Sequence, residues 1–384
     1  MRTSAEPPGL PATVAPDRSA GHPAVAQQPA PPQTRRRARK YLRAALSLAL
    51  VAAIFGFAIP HFASYRSVWA SVQAMTSWQL LFVAATAAVS MASSWVVICA
   101  VLPSIRLREA AVVNLGSNAV ANTLPAGGAL AMGVSWAMLS SWGVGTAEYV
   151  LYTLVSGIWN VLTRLGLPVI ALLILVTATR PHAILVAAAA TGLAVLAALT
   201  AGLGLFLRRG SFALGAGRAL RRPVGIAFRL ARRPPPGELP ELLLGFRDRA
   251  AALLAARSWR ISASTVASQL ALWLVLLACL RGIGLSQAQV PWQTSLAAFA
   301  FIRLLTALPL TPGGVGITEL GLVGTLAEGA DHTVTARVTA AVLLYRAVTY
   351  LPPIPLGALA CLAWRHAPAG LPARNAAGRE TIGT

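Results

Sequence analysis

The sequence predicts an all-α, polytopic membrane protein with about six spanning helices and two re-entrant helical hairpins that form an inverted repeat. Three observations support this fold class. Hydrophobic residues make up 56% of the 384 residues, charged residues make up only 11%, and the apolar residues fall into long runs. A soluble domain carries about a quarter charged residues. The composition therefore excludes a soluble enzyme and favours a chain that is largely embedded in lipid.

The two ends of the chain differ in composition from the part between them. Residues 1–40 are Pro-rich and end in a basic run, which predicts a disordered cytoplasmic tail. Beside a membrane span, that basic run indicates retention in the cytoplasm rather than nucleic-acid binding. The apolar run 41–60 has no cleavage site for a signal peptide, so we expect an uncleaved anchor. Residues 41–365 form the predicted transmembrane domain, and 366–384 form a second cytoplasmic tail.

Six apolar runs are long enough to cross the hydrocarbon core, which takes about 20 residues. They are 41–60, 78–102, 148–178, 183–207, 259–280 and 334–364. Two further regions, 109–141 and 292–328, are each split by a Pro/Gly cluster into arms of about 14–17 residues. An arm of this length covers about 21–26 Å of a core of ~30 Å, which predicts a re-entrant hairpin. The alternative is that both hairpins cross fully, which would give ten spans.

The basic residues predict the orientation. With the N-terminus inside, the cytoplasmic segments hold 25 of the 32 basic residues and the outer segments hold four. This asymmetry follows the positive-inside rule and puts both termini in the cytoplasm. Of the 32 basic residues, 31 are arginine, and the chain is rich in Ala, Gly and Pro, which is typical of a GC-rich bacterial gene. We therefore expect a bacterial inner membrane.

The cytoplasmic basic loop 208–258 contains eight arginines before a Pro-Pro-Pro-Gly linker. After the linker, residues 240–256 have apolar side chains on one helical face, which predicts an amphipathic helix on the inner leaflet. A solvated loop whose charge only sets the topology is the alternative.

The first hairpin contains a stripe of asparagines before its Pro/Gly cluster. Asn114, Asn118 and Asn122 are spaced by four residues and share one helical face, and Pro125 follows them. Amide groups that face lipid would lack hydrogen-bond partners, so the stripe must face protein or water. It either forms interhelical hydrogen bonds or provides a polar lining along which a lipid headgroup passes.

The second hairpin contains prolines and glycines followed by an acid. The candidate residues are Pro309, Gly313, Gly314, Gly316 and Glu319. The cluster ends one half-helix and allows a tight reversal, so the next half-helix begins with its positive end at membrane depth. Such an end attracts anions such as phosphate.

The two hairpins resemble each other. Each has a Leu-Pro pair before two adjacent glycines, and each is followed by an apolar run with a central arginine. The distance from Pro125 to Arg164 is 39 residues, and the distance from Pro309 to Arg346 is 37 residues. In the predicted topology the hairpins enter from opposite sides, as in an inverted-topology repeat whose broken helices meet around a substrate. The alternative is a chance similarity.

Three arginines lie within the apolar runs, namely Arg164, Arg303 and Arg346. An arginine at the centre of a membrane helix costs at least ~2.5 kcal/mol, so these side chains must face the interior. They could form ion pairs, Arg346 or Arg303 with Glu319 and Arg164 with Glu148. Alternatively, they could bind the phosphate of an anionic lipid, to which the planar guanidinium is well suited.

The segment ALPLTPGGVGITE at 307–319, followed by Tyr345-Arg346, resembles the membrane region of lysylphosphatidylglycerol synthases and of stand-alone flippase-like membrane proteins. The Asn-Thr-Leu-Pro segment at 122–125 is similar to the first hairpin of that family. The resemblance covers about 40–365. It implies a flippase-like membrane domain.

The synthases carry a large cytosolic aminoacyl-transferase domain after the membrane part, whereas about twenty residues follow Trp364 here. We therefore expect no synthase activity, and we predict no catalytic residue, no cofactor and no metal site. The five histidines are scattered along the chain rather than clustered at metal spacing.

Together, these observations predict a protein that moves a lipid or lipid-linked anionic headgroup between leaflets. The expected partners are membrane lipids, in particular an anionic phospholipid or a lipid-linked intermediate. The predicted substrate-binding set is the asparagine stripe, the Pro/Gly clusters, the three arginines, Glu319 and Tyr345. One alternative is a non-transporting scaffold or regulator that docks a cell-envelope enzyme on 208–258. Another is the membrane half of a split aminoacyl-phospholipid synthase.

Overall fold

The computed structural model describes residues 65–123, 127–178, 183–211, 239–306, 314 and 316–366, together with short stretches between 214 and 226. The predictions for the tail 1–40, the run 41–60 and nearly all of the tail 366–384 fall on residues outside this description.

The described residues form a series of α-helices joined by short connections. In chain order they are α1 (Tyr65–Gln73), α2 (Ser77–Val101), α3 (Leu107–Thr123), α4 (Gly127–Ser141), α5 (Thr146–Ala178), α6 (Ala183–Arg208), α7 (Leu239–Gly282), α8 (Trp292–Leu305), α9 (Ile317–Leu326), α10 (His332–Tyr350) and α11 (Pro353–His366).

The fold class predicted from the sequence is confirmed. The described residues contain no strand. Five helical stretches among them are long and apolar enough to cross a membrane: Ser77–Val101, Thr146–Leu175, Ala190–Arg208, Leu243–Gly282 and His332–His366. They correspond to five of the six predicted runs, and the sixth, 41–60, lies outside the described residues.

The outer surface of these helices is apolar, as a lipid environment requires. On α2, Trp78 is 74% exposed, Val89 is 63% exposed and Leu81 is 58% exposed. Large apolar side chains at this density on one helix would aggregate in water. They are compatible with a helix whose outer face contacts acyl chains.

The two predicted hairpins are pairs of packed helices, α3 with α4 and α8 with α9. In the first pair α3 ends at Thr123 and α4 begins at Gly127, and in the second pair α8 ends at Leu305 and α9 begins at Ile317. Three of the four arms have 14 to 17 residues, as predicted, but α9 has only 10. It ends at Leu326, just before Gly329, whose φ is +70°. The re-entrant depth of the hairpins remains a prediction.

The segment 240–256 is helical, as the sequence predicts, but it is not a helix of its own. It is the first part of α7, which runs through 44 residues without interruption. The reason is local, since the sequence has neither proline nor glycine between 246 and 281. Its apolar face packs against protein, because the buried Leu254 belongs to a cluster that includes Val155 of α5 and Leu207 of α6.

Packing of α5 against α8 positions two of the membrane arginines. Leu167 and Ala171 of α5 form a buried cluster with Leu296, Ala297 and Ala300 of α8. Arg164 lies about one turn before the cluster on α5, and Arg303 lies about one turn after it on α8. Two helices far apart in sequence therefore bring these arginines into one neighbourhood.

A larger buried cluster holds the second half of the chain together. It joins α7, α8, α9 and α10 through side chains that include Leu276, Phe299, Leu322 and Val342. The first hairpin has its own cluster, in which Val113 of α3 and Met138 of α4 pack with α2 and α11. The two hairpins thus contribute to different apolar clusters.

Candidate functional site around three membrane arginines

The centre of the site is an ion pair between α9 and α10. The Nε of Arg346 donates to Oε1 of Glu319 at 2.8 Å, and the two side chains are 15% and 2% exposed. Of the two arginines that the sequence offered as partners for Glu319, the structure selects Arg346. A buried charge without its partner is strongly destabilising, so each residue of this pair depends on the other.

Two glycines set the start of α9 and orient Glu319. Gly314 has φ +66° and Gly316 has φ +87°, a left-handed backbone that favours glycine. The backbone N–H of Gly316 donates to Oε2 of Glu319 at 2.6 Å. The hydroxyl of Thr318 donates to the carbonyl oxygen of Gly314 at 2.9 Å. Both carboxylate oxygens of Glu319 are therefore engaged, one by Arg346 and one by the backbone.

Tyr350 connects this ion pair to the first hairpin. The guanidinium carbon of Arg346 lies 4.8 Å from the centroid of the Tyr350 ring, a cation–π distance. The Tyr350 hydroxyl donates to the carbonyl oxygen of Asn122 at 2.9 Å. Asn122 lies in the last turn of α3, the first arm of one hairpin, and Glu319 lies in the first turn of α9, the second arm of the other. Through Tyr350, these two arm ends come together near Arg346.

Arg303 lies next to this pair on α8. Its Nη2 donates to Oε1 of Gln269 at 3.4 Å, a long bond, and Gln269 of α7 is only 7% exposed. The Nε of Arg303 is buried and has no hydrogen-bond partner among the described residues. The positive charges of Arg303 and Arg346 act on each other, and the phenol of Tyr345 lies within the field of both.

Arg164 completes the group from the side of α5. Its positive charge and that of Arg303 act on each other, and its buried Nε also lacks a partner among the described residues. The predicted pairing of Arg164 with Glu148 is wrong, because Glu148 accepts a hydrogen bond from the hydroxyl of Ser104 at 2.6 Å. The two residues are sixteen positions apart on one continuous helix, about 24 Å along its axis.

The arrangement is suited to anion binding. Arg164 and Arg303 act on each other, as do Arg303 and Arg346, and Arg346 forms an ion pair with Glu319. Guanidinium groups donate several hydrogen bonds in a plane and match phosphate oxygens. No group of three His, Cys, Asp or Glu side chains in the described part of the chain is arranged to hold a metal ion.

The family model for the lysylphosphatidylglycerol synthase TM region matches residues 44–357. The chain belongs to this family. The lysylphosphatidylglycerol synthase TM region of this chain therefore includes both helix pairs and all four charged residues of the site. The comparison with curated proteins found no match.

Within this TM region, the predicted asparagine stripe divides into two parts. The Nδ2 of Asn118 donates to Oδ1 of Asn114 at 3.1 Å, and both residues are half-buried. Asn122 contributes its backbone oxygen to Tyr350. Thus the first two asparagines pair with each other, and the third reaches the arginine group through Tyr350.

The other predicted residues fall into two groups. The structure brings together Arg164, Arg303, Tyr345, Arg346, Glu319, Gly314 and Gly316. Tyr345 is 3% exposed and also packs within the apolar cluster of the second half of the chain. Pro125, Pro309 and Gly313 lie outside the described residues.

Two members of the site, Gln269 and Tyr350, were not predicted from the sequence. Gln269 is a polar residue within the apolar run 259–280, which is the same signal that singled out the arginines. Tyr350 follows Arg346 by four residues, so the two share a helical face. Each could have been proposed as a neighbour of an arginine, but neither spacing predicts contact with Arg303 or with Asn122.

Proposed function

We propose that this protein moves a lipid with an anionic headgroup between the two leaflets of a membrane. The observation that carries the proposal is the group of three arginines on membrane-crossing and hairpin helices, in which Arg346 pairs with the carboxylate of Glu319. Positive charge at membrane depth is costly unless an anion neutralises it. A phosphate-bearing headgroup that crosses the membrane supplies that anion.

In this proposal the headgroup passes where the two hairpins meet. Arg346 is held in place by Glu319 and Tyr350, whereas the Nε donors of Arg164 and Arg303 have no partner among the described residues and would bond to the passing phosphate. The paired Asn114 and Asn118 line the approach along α3. The helical start at Gly316 adds the positive end of a dipole to the same place. The proposed activity involves no covalent chemistry.

We place the protein in a bacterial inner membrane with both termini in the cytoplasm. The support is the distribution of basic residues, 25 on the predicted cytoplasmic segments and four on the outer segments. A cysteine-accessibility experiment on intact cells, with single cysteines in 208–211 and 283–291, tests the orientation. Labelling of the first segment from outside the cell would contradict it.

Transbilayer movement can be measured directly with the purified full chain in phosphatidylcholine vesicles that contain trace fluorescent anionic lipid. We expect wild-type protein to accelerate movement and Arg346→Gln to lower the rate at least tenfold, because the site loses one of the three positive charges that attract the phosphate. Arg337→Gln is the matched control, since Arg337 is exposed on the same helix two and a half turns earlier. Equal rates with and without wild-type protein would refute the proposal.

A double variant separates transport from structure at the ion pair. Glu319→Gln alone leaves Arg346 without its counter-charge, and Arg346→Gln alone leaves Glu319 without its partner, so each single variant is destabilised. The double variant Glu319→Gln/Arg346→Gln removes both charges and should recover stability. If Arg346 contacts the headgroup, the double variant remains inactive. If Arg346 only balances Glu319, transport returns together with stability.

A further inference from the structure

The charges of the site are unequal in number. Arg164, Arg303 and Arg346 contribute three positive charges, and Glu319 contributes one negative charge. The chain contains eleven acidic residues, and every one except Glu319 lies at or beyond the ends of the apolar runs. The protein itself therefore leaves an excess of two positive charges in this neighbourhood.

Hydrogen-bond capacity is unused at the same two arginines that lack an acid. The Nε atoms of Arg164 and Arg303 are both buried and without a partner among the described residues. The bond from Arg303 to Gln269 is long, at 3.4 Å, and Gln269 is a neutral acceptor. By contrast, Arg346 has a short, charged bond to Glu319. The excess charge and the unused donors thus coincide at Arg164 and Arg303.

We propose that the headgroup bound here carries two negative charges, as in a phosphomonoester or a diphosphate lipid, rather than the single charge of a phosphodiester lipid. The proposal rests on the proposed function and adds the substrate class to it. A dianion neutralises both uncompensated arginines and accepts hydrogen bonds from both Nε atoms. A phosphodiester leaves one positive charge unbalanced, and a cationic aminoacyl lipid adds to the excess.

The test compares fluorescent, acyl-labelled phosphatidic acid, phosphatidylglycerol and phosphatidylcholine in separate phosphatidylcholine vesicles that contain the full chain. At pH 7.5 we expect phosphatidic acid to move about tenfold faster than phosphatidylglycerol, because one additional charge contacts the site. Equal or faster movement of phosphatidylglycerol overturns the charge class and leaves the proposed function intact. If no lipid moves, the proposed function itself fails.

The pH dependence provides an independent measurement on the same vesicles. A phosphomonoester acquires its second negative charge with a pKa of about 6, whereas a phosphodiester is singly charged throughout this range. We expect the rate for phosphatidic acid to rise between pH 5 and pH 7.5 and the rate for phosphatidylglycerol to remain level. Parallel profiles for the two lipids contradict the proposal.

A single substitution can supply the missing counter-charge from within the protein. Gln269→Glu places a carboxylate beside Arg303 without changing the size of the side chain, so the excess falls to one positive charge. We expect the preference for phosphatidic acid over phosphatidylglycerol to drop about tenfold while the protein remains folded. Arg303→Gln should change the preference in the same direction.

The matched control for Gln269→Glu is Gln287→Glu. Gln287 also accepts a hydrogen bond from an arginine, Arg281, at 2.8 Å, but it lies in the exposed connection between α7 and α8. The control introduces the same carboxylate beside an arginine outside the site, and we expect no change in lipid preference. An unchanged preference in Gln269→Glu, or an equal change in Gln287→Glu, overturns the assignment.

Free phosphate has the same chemistry as the headgroup and must be distinguished from it. Uptake of radioactive inorganic phosphate into the same vesicles is the measurement. Lipid movement without phosphate uptake supports a lipid substrate. Phosphate uptake without lipid movement overturns it in favour of a soluble anion.

Discussion

Each hairpin is followed by a helix that carries an arginine, and the two arginines differ in whether an acid pairs with them. In the second half, Arg346 of α10 is tied to Glu319 at the start of α9. In the first half, Arg164 of α5 pairs with no acid among the described residues, and Glu148 of the same helix lies about 24 Å away along its axis, bonded to Ser104. One arginine is therefore part of the protein's own structure, and the other remains available to a ligand.

The helices that carry these arginines differ as well. α5 continues for 33 residues and passes through Pro168 without ending. α10 ends at Tyr350, and α11 begins at Pro353, so the helix is interrupted about one turn after Arg346. The break leaves Tyr350 at a helix end, where its hydroxyl reaches the carbonyl oxygen of Asn122. The second half thus contains the fixed part of the site, and the first half contributes an unpaired charge.

The largest expected effect is the loss of the fixed ion pair. Glu319→Ala should lower the free energy of unfolding by about 3–5 kcal/mol, because Arg346 is left buried and uncompensated. Thermal unfolding in detergent measures this, and Arg337→Ala, at an exposed position on α10, serves as control. If Glu319→Ala and the control were equally stable, the pair would not be a structural element.

Arg164 should respond in the opposite direction. Arg164→Gln removes a charge that no acid balances within the described part of the chain and relieves its repulsion with Arg303. We expect stability to remain the same or to rise by up to about 2.5 kcal/mol, while lipid movement falls at least tenfold. A loss of stability as large as that of Glu319→Ala would contradict the expected difference between the two arginines.

The glycines of the two hairpins should also differ. Gly316 has φ +87°, so Gly316→Ala forces a residue with a Cβ into a left-handed backbone conformation. This should lower the free energy of unfolding by about 1–2 kcal/mol. Gly133→Ala, within α4 of the first hairpin, meets open space and should gain about 0.5–1 kcal/mol. Thermal midpoints of the two variants test this, and a loss in both would contradict the expected difference.

The smallest expected effect concerns the contact between the halves. Tyr350→Phe removes the hydrogen bond to Asn122 and should cost about 1 kcal/mol. Tyr149→Phe is the matched control, since its hydroxyl also donates to a backbone oxygen, that of Met132, away from the arginines. We expect both variants to unfold slightly earlier, but only Tyr350→Phe to slow lipid movement. Equal transport in both would show that the contact between the halves is purely structural.

The sequence predicts those parts of the fold that depend on composition along a single segment. Long apolar runs predict the spanning helices, and the clusters around Pro125 and Pro309 mark the interruptions between the arms of each hairpin. The ion pair between Glu319 and Arg346 was also among the sequence-based candidates, because a buried acid requires a nearby base. These predictions need no knowledge of how helices far apart in sequence pack.

The parts that could not be predicted depend on such packing. Arg164 meets Arg303 because α5 and α8 share an apolar cluster, and nothing in the spacing of either segment indicates that contact. Gln269 reaches Arg303 only because α7 lies beside α8. The continuity of α7 was missed for a different reason, since an amphipathic pattern at 240–256 was interpreted as a surface helix although no residue there stops the helix.

α7 is much longer on one side of its contact with Arg303 than on the other. Its 44 residues extend for about 66 Å, more than twice the thickness of a hydrocarbon core. Gln269, which contacts Arg303, divides it into a segment of about 45 Å toward Leu239 and one of about 20 Å toward Gly282. On the long segment, Arg247 donates hydrogen bonds to the carbonyl oxygens of Leu207 and Arg208, the last two residues of α6. A tilt of α7 about Gln269 would therefore move the Leu239 end more than twice as far as the Gly282 end, and α6 with it.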